Sequence, residues 1–329
     1  VLKRGNKVLR VLFTCIGRRV TLLQDFRSAA KDLKLKAQFM GTDVTFLSPA
    51  LQLCDKGFVV PPVSSPGYMR AIADIVKREK INLLIPTIDS DLSLISANRE
   101  KLLKLGCVSL ISSPQVIDTC RDKRKMHDFL VANGFDTPRI YSIKEATTSK
   151  KIKFPLFLKP WDGSAGKGNA VVKNRDELKF YSKSVPNCMV QEFVEGTEFT
   201  CDAYVDFDMK VRCVVPRMRI AVRGGEVSKG QVIKNRRIMD TTAALVQKLG
   251  AGPGVVTIQC FLTGDKRLLY MEMNPRFGGG VVLGIQAGAN FPKWILSQLV
   301  GKNPTIKFDA FEDKLIMLRY DEQIFIKGE

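Results

Sequence analysis

Val255-Val256-Thr257-Ile258-Gln259-Cys260-Phe261-Leu262 and Leu268-Leu269-Tyr270-Met271-Glu272-Met273-Asn274-Pro275-Arg276 are two apolar runs separated by the turn-rich Thr263-Gly264-Asp265-Lys266. Such a pair predicts an antiparallel hairpin, with Gln259 expected opposite Glu272. Because side chains alternate along a strand, Glu272 and Asn274 share one face, and Gln259 lies on that face of the partner strand. Three oxygen donors converge there. A hard cation such as magnesium takes carboxylate and amide oxygens and completes its shell with water and phosphate. An isolated Glu-x-Asn-x-Arg is more simply a solvent-facing edge with a local ion pair, so the reading depends on the rest of the chain.

Upstream, the apolar strand Phe154–Pro160 ends in Lys159 and runs into Asp162-Gly163-Ser164-Ala165-Gly166-Lys167-Gly168. Backbone amides and a hydroxyl of such a loop can wrap phosphate oxygens while lysines neutralise them. It is not a Walker A loop, which needs an earlier glycine and a serine or threonine where Gly168 stands. A flexible surface turn is the commoner meaning of such a loop by itself. Strands are expected at Ala170–Val172 and Met189–Val194, a helix at 177–184, and an antiparallel pair at Phe199–Phe207 and Val211–Met218. Gln191-Glu192-Phe193-Val194 reads as a strand end whose backbone could meet an adenine edge, and a carboxylate a turn later, in Glu195-Gly196-Thr197-Glu198, could accept from ribose hydroxyls.

The first hundred or so residues alternate β-branched runs with amphipathic segments, the pattern of a parallel sheet covered by helices. Strands are predicted from Val8, Ala37, Gly57, Asn82 and Cys107, with single helices over Arg18–Leu33, Pro66–Lys80 and Asp91–Leu105. Ligands of open parallel sheets bind outside the carboxyl ends of strands, which singles out Arg18, Arg19, Asp43, Asp89 and Asp91. The first turn lacks G-x-G-x-x-G, so no nicotinamide or flavin is expected. After Ser113 a new section begins, with a lysine-rich helix over Arg121–Asn133. The predicted units are 1–112 and 113–329, with a lid at about 138–195.

Lysine plus arginine outnumber aspartate plus glutamate by 52 to 33, a net charge of +19. These residues are spread along the chain without an arginine-rich arm or interleaved aromatics, so an anionic small molecule or a solvated lysine surface is expected, and no nucleic acid. Eight cysteines occur without a C-x-x-C pair and read as reduced core residues of a cytoplasmic protein. No signal peptide or membrane span is expected, and the start at Val1 suggests that the native N-terminus is absent. The single histidine, His127, is expected to be solvent-exposed, which leaves histidine-based nucleophilic catalysis without material.

In their order, Thr14-Cys15-Ile16-Gly17-Arg18-Arg19, Leu84-Ile85-Pro86-Thr87, Asp122-Lys123, Phe157-Leu158-Lys159-Pro160, Gln191-Glu192-Phe193-Val194 and Met271-Glu272-Met273-Asn274-Pro275-Arg276 resemble the ATP-grasp superfamily over nearly the whole chain. The likeness is to stand-alone proteins similar to one synthetase half of the carbamoyl phosphate synthetase large chain. It implies an α/β chain with an N-terminal Rossmann-like parallel-sheet domain followed by an α+β ATP-grasp fold of two subdomains. It further implies ATP with magnesium or manganese as cofactors, and a carboxylate activated as an acyl phosphate for attack by an amine.

By that resemblance Lys123 and Lys159 hold the phosphates, and Gly163, Ser164, Gly166, Lys167 and Gly168 close over them. Glu192, Phe193 and Val194 meet adenine between the apolar walls Phe157 and Phe261, and Glu198 takes ribose. Gln259, Glu272 and Asn274 hold the metal, while Arg276 and Lys159 serve catalysis. Arg18, Arg19, Asp89, Arg217, Arg219, Lys229, Gly278 and Gly279 are the candidates for the second substrate, though a solvated basic hairpin explains the arginines of 217–229 equally well. A small-molecule carboxylate, an amine and a homodimer are the expected partners. The alternatives are a carbamoyl phosphate synthetase-like subunit and an ATP-binding regulator without turnover.

Overall fold

The computed structural model describes residues 8–163 and 166–328. The first strands form a five-stranded parallel sheet in the order β3-β2-β1-β4-β5, with β1 at Leu9–Thr14, β2 at Ala37–Asp43, β3 at Lys56–Val59, β4 at Leu83–Pro86 and β5 at Val108–Ser109. Leu12, Leu84 and Leu83 are buried, as the near-continuous apolar runs of a sheet covered on both sides require. The strand order reverses between β1 and β4, which opens a crevice at their carboxyl ends.

A four-stranded antiparallel sheet follows in the order β6-β9-β7-β8: β6 at Ile140–Tyr141, β7 at Leu156–Pro160, β8 at Ala170–Val172 and β9 at Cys188–Glu192. Its helices bury Ala146 and Leu178 against Leu156, Leu158, Val172 and Val190, a small core of its own. The remaining strands build a six-stranded antiparallel sheet, β14-β13-β10-β11-β12-β15: β10 at Thr197–Val205, β11 at Val211–Arg223, β12 at Glu226–Val232, β13 at Gly254–Leu262, β14 at Leu268–Asn274 and β15 at Ile316–Leu318. One face packs on the helix Arg236–Leu249, where Thr242 and the Tyr270 hydroxyl lie 3.1 Å apart. The large sheet shares a core with the first domain, sealed where Phe26 and Phe277 meet edge to face at 5.8 Å.

One predicted helix is broken in two, and another starts two residues later than expected. Asn98 leaves helical backbone geometry and donates from its side chain to the Leu94 carbonyl at 2.9 Å, separating Leu92–Ala97 from Arg99–Lys104. Asp122 is extended, and its carboxylate accepts from the Arg124 amide at 2.9 Å, so it caps a new helix, Lys123–Ala132, after Pro114–Arg121. That cap sets Lys123 at the first helical position, where its amide donates to the Trp161 carbonyl at 3.0 Å. Among the described residues no helix is long and apolar enough to cross a membrane. All eight cysteines are free.

Candidate active site

A cleft of about 830 Å³ lies where the three sheets meet, and its floor is the open face of the six-stranded sheet. Register explains what the floor displays. Thr200 pairs with Gln259 and with Arg217, Glu198 with Phe261, and Asp202 with Thr257, so alternate residues of β10, β11 and β13 present polar groups to one side. The hairpin β13–β14 pairs Leu262 with Leu268 and Cys260 with Tyr270, and then Gln259 with Glu272. Met271 is therefore an extra residue, a bulge that reverses the alternation. In a regular strand Glu272, two residues after Tyr270, would share its face beneath the helix; with the bulge Glu272 faces the cleft opposite Gln259. Asn274, two residues on, donates to the Glu272 carboxylate at 3.2 Å. One carboxylate and two amides are a donor set suited to a hard divalent cation.

Above the floor, Lys159 from β7 is 6% exposed yet lines the cleft. Burial pushes its ammonium down to about 8, against the pull of the Glu272 carboxylate and with a contribution from Lys123. Lys123 donates to the Gly163 carbonyl and so ties the glycine-rich loop to the new helix. Phe157 and Phe261 line the same cavity. Burial raises the Glu198 carboxyl above its ordinary value; Arg219, 3.4 Å away, opposes this shift and Glu272 adds to it.

At the far end the arginines are held by acids. Arg276 grips Asp89 of the first domain through Nε, at 2.8 Å, and Nη2, and its Nη1 donates to the Phe277 carbonyl at 3.0 Å. Arg217, 1% exposed, forms a two-pronged pair with the buried Asp202 at 2.6 and 3.1 Å, and Asp202 also accepts from Thr257 at 3.2 Å. Gly278, Gly279 and Gly280 thread over this charged layer. A Cβ would stand 2.9 Å from Thr257 Oγ1 at Gly278, 2.9 Å from Arg19 Nη1 at Gly279 and 2.5 Å from Arg217 Nη1 at Gly280. Close approach, and not a positive φ, accounts for this glycine run.

The cleft gathers Arg18, Arg19, Asp89, Lys123, Phe157, Lys159, Gly163, Gly166, Glu198, Arg217, Arg219, Gln259, Phe261, Glu272, Asn274, Arg276, Gly278 and Gly279. It does not gather Lys167, Gly168, Glu192, Phe193, Val194 or Lys229, and Ser164 lies outside the described residues. Glu192 is drawn off by Arg267 at 3.1 Å and by the Arg139 amide at 3.3 Å, and Phe193 and Val194 fall beyond the end of β9. Lys229 follows from alternation: Arg219 pairs with Gly230, which leaves Lys229 on the opposite face beside Leu318. Two acids flagged at strand ends prove structural: Asp43 accepts from the Gly17 amide at 2.9 Å, and the buried Asp91 from the Thr14 and Tyr68 hydroxyls at 2.6 and 3.0 Å. His127 is half-buried beside Asp128 and not solvent-exposed as expected, and it does not line the cleft.

Asp202, Thr257 and Glu226 were not foreseen. The signal for Asp202 was the polar alternation Glu198-x-Thr200-x-Asp202 in an otherwise apolar strand.

Comparison with known proteins agrees with this architecture. Residues 11–111 match the family described as "PylC-like, N-terminal domain", and residues 184–322 match "ATP-grasp in the biosynthetic pathway with Ter operon". The chain is 21% identical to a formate-dependent phosphoribosylglycinamide formyltransferase of Prochlorococcus marinus, over 80% of this chain and 71% of that protein. It is 23% identical to a carbamoyl phosphate synthase large chain of Campylobacter jejuni over 79% of this chain, but spans only 26% of that protein's length. Among solved structures it resembles a biotin carboxylase from Campylobacter jejuni in complex with β,γ-ATP, with a TM-score of 0.74 and 14% identity, covering 94% of this chain and 75% of that one. The chain thus carries a PylC-like match over the parallel sheet and an ATP-grasp match over the large sheet, and its fold is similar to that of the solved biotin carboxylase.

Proposed function

We propose that the cleft is the active site of an ATP-dependent carboxylate–amine ligase that works through an acyl phosphate. The observation that carries this reading is the bulge-dependent convergence of Gln259, Glu272 and Asn274 on the cleft floor, facing the buried Lys159 and the neighbouring Lys123. Gln259, Glu272 and Asn274 would hold magnesium, which when bound supplies charge neutralisation at the nucleotide phosphates.

Lys159 and Lys123 contact phosphate oxygens, and the loop around Gly163 and Gly166 covers them. Phe157 and Phe261 flank the base, and Glu198 accepts from ribose. Arg276 has five N–H donors, three of them engaged with Asp89 and Phe277, so two remain for an oxyanion at the reacting centre. Phosphoryl transfer to a carboxylate needs no enzyme nucleophile, only alignment and charge neutralisation, which suits a cleft without histidine. We place the boundary between the two units near residue 112. The segment at about 138–195, with its separate small core, is the part proposed to close over the nucleotide and exclude water.

The test is calorimetry with adenine nucleotides and magnesium, followed by phosphate release across pools of carboxylic acids paired with amines. Wild-type protein is expected to bind the magnesium nucleotide and to turn over with one pool. Glu272→Ala and Lys159→Ala are each expected to lose on the order of a hundredfold in rate. A protein that binds no adenine nucleotide in the presence of magnesium refutes the proposal.

A further inference from the structure

The crevice between the carboxyl ends of β1 and β4 opens into the same cleft, beyond Arg276 and away from Lys159. Its charges do not balance locally. Each carboxylate at this end already has a closer partner: Asp89 is gripped by Arg276, and Glu226 accepts from Arg319 at 2.8 Å from behind. Arg19 stands off from Glu226 at 3.8 Å, and Arg18 makes no hydrogen bond or ion pair among the described residues. Both arginines line the cleft, as do Glu226 and Gly279. Arg121 adds a further guanidinium, which donates to the Asp89 carbonyl at 2.8 Å. Burial and the nearby Arg276 push the Arg19 guanidinium below its ordinary value, so this cation lacks a full counter-charge.

Two adjacent guanidiniums, Arg18 with no ion pair among the described residues and Arg19 with only a distant carboxylate that it shares with Arg319, stand at the switch point of a parallel sheet and match two negative charges on a ligand. We propose that the crevice formed by Arg18, Arg19 and the Gly279 backbone binds a dianionic group of the second substrate, either a phosphate monoester or a pair of carboxylates. The proposal rests on the ligase reading, since it is that reading which makes the far end of the cleft the place of a second substrate.

The experiment saturates the protein with magnesium and a non-hydrolysable β,γ-methylene ATP analogue, so that the triphosphate positions are filled. Glycerol 3-phosphate, succinate, acetate and dimethyl phosphate are then titrated by calorimetry. One of the two dianions is expected to bind roughly tenfold more tightly than either monoanion, and which one does so distinguishes phosphate from dicarboxylate. Arg18→Gln, at an exposed position without internal bonds, is expected to remove that preference while nucleotide affinity stays within about twofold. Equal binding of monoanions and dianions, no saturable binding of either dianion, or an unchanged preference in Arg18→Gln overturns the proposal. Failure of the nucleotide analogue to bind refutes the ligase reading instead, and the same anion titration on nucleotide-free protein then still decides the crevice.

Discussion

Arg217 and Asp202 lie on the cleft floor at 1% and 0% exposure, joined by bonds of 2.6 and 3.1 Å. Arg217→Met removes the guanidinium and leaves a buried carboxylate whose remaining donor is the Thr257 hydroxyl at 3.2 Å. Two charge-assisted hydrogen bonds contribute about 1.5–3 kcal/mol each, and breaking a buried pair from one side costs about 3–5 kcal/mol because a charge is left unpaired. Asp202→Leu strands the guanidinium and is expected to cost a similar amount. The double variant, with neither charge, is expected to lose less than the sum of the singles by at least about 2 kcal/mol. Urea denaturation followed by tryptophan fluorescence gives the three stabilities, and repeating it in high salt checks that a pair this buried is little screened. A loss below about 1 kcal/mol in Arg217→Met, or a cycle additive within about 0.5 kcal/mol, refutes the argument that this pair is dry and mutually dependent.

Other outcomes follow from the same geometry. Asp89→Asn weakens the grip on Arg276 and is expected to lower turnover about tenfold or more with nucleotide affinity within about twofold, as steady-state kinetics set beside calorimetry would show. Lys159, held at about 8, sheds its proton as pH rises through that value, so affinity for the magnesium nucleotide should fall above about pH 8 and stay flatter in Lys159→Arg. Between about 8 and the ordinary lysine value of 10.5 the unfolded chain keeps the proton that the fold has lost, so this group makes stability rise with pH there. Burial raises Asp25, on the helix Val20–Asp32, from 3.8 to about 7, although the Gln286 amide donates to it at 2.9 Å. Its contribution to stability is present in full below about 3.8 and lost as pH rises through about 7, and Asp25→Asn should flatten that part of a denaturation-against-pH curve.

Much of the molecule was legible without coordinates, because local chemistry along the chain carries it. Apolar and β-branched runs broken by turn residues marked the strands of both kinds of sheet, and the alternation of Glu272 with Asn274 put two oxygen donors on one face whatever lay around them. The apolar strand ending in Lys159, and the glycine-rich loop after it, were likewise visible as sequence. Helix breaks were not. At Asn98 the side chain bonds to the Leu94 carbonyl while the amphipathic pattern runs through unchanged, and at Asp122 the side-chain cap moves the expected helix start from Arg121 to Lys123.

The site itself was decided by tertiary structure. No local signal marks Met271 as a bulge, yet it alone turns Glu272 from the helix face to the cleft and sets it against Gln259. Glu192 was diverted by Arg267, 75 residues away, and Arg276 was claimed by Asp89, 187 residues away. A sequence states which charges exist and on which face of a strand each one starts. Which charges neutralise each other is set by distances that only packing fixes, and Coulomb attraction and desolvation both depend on those distances.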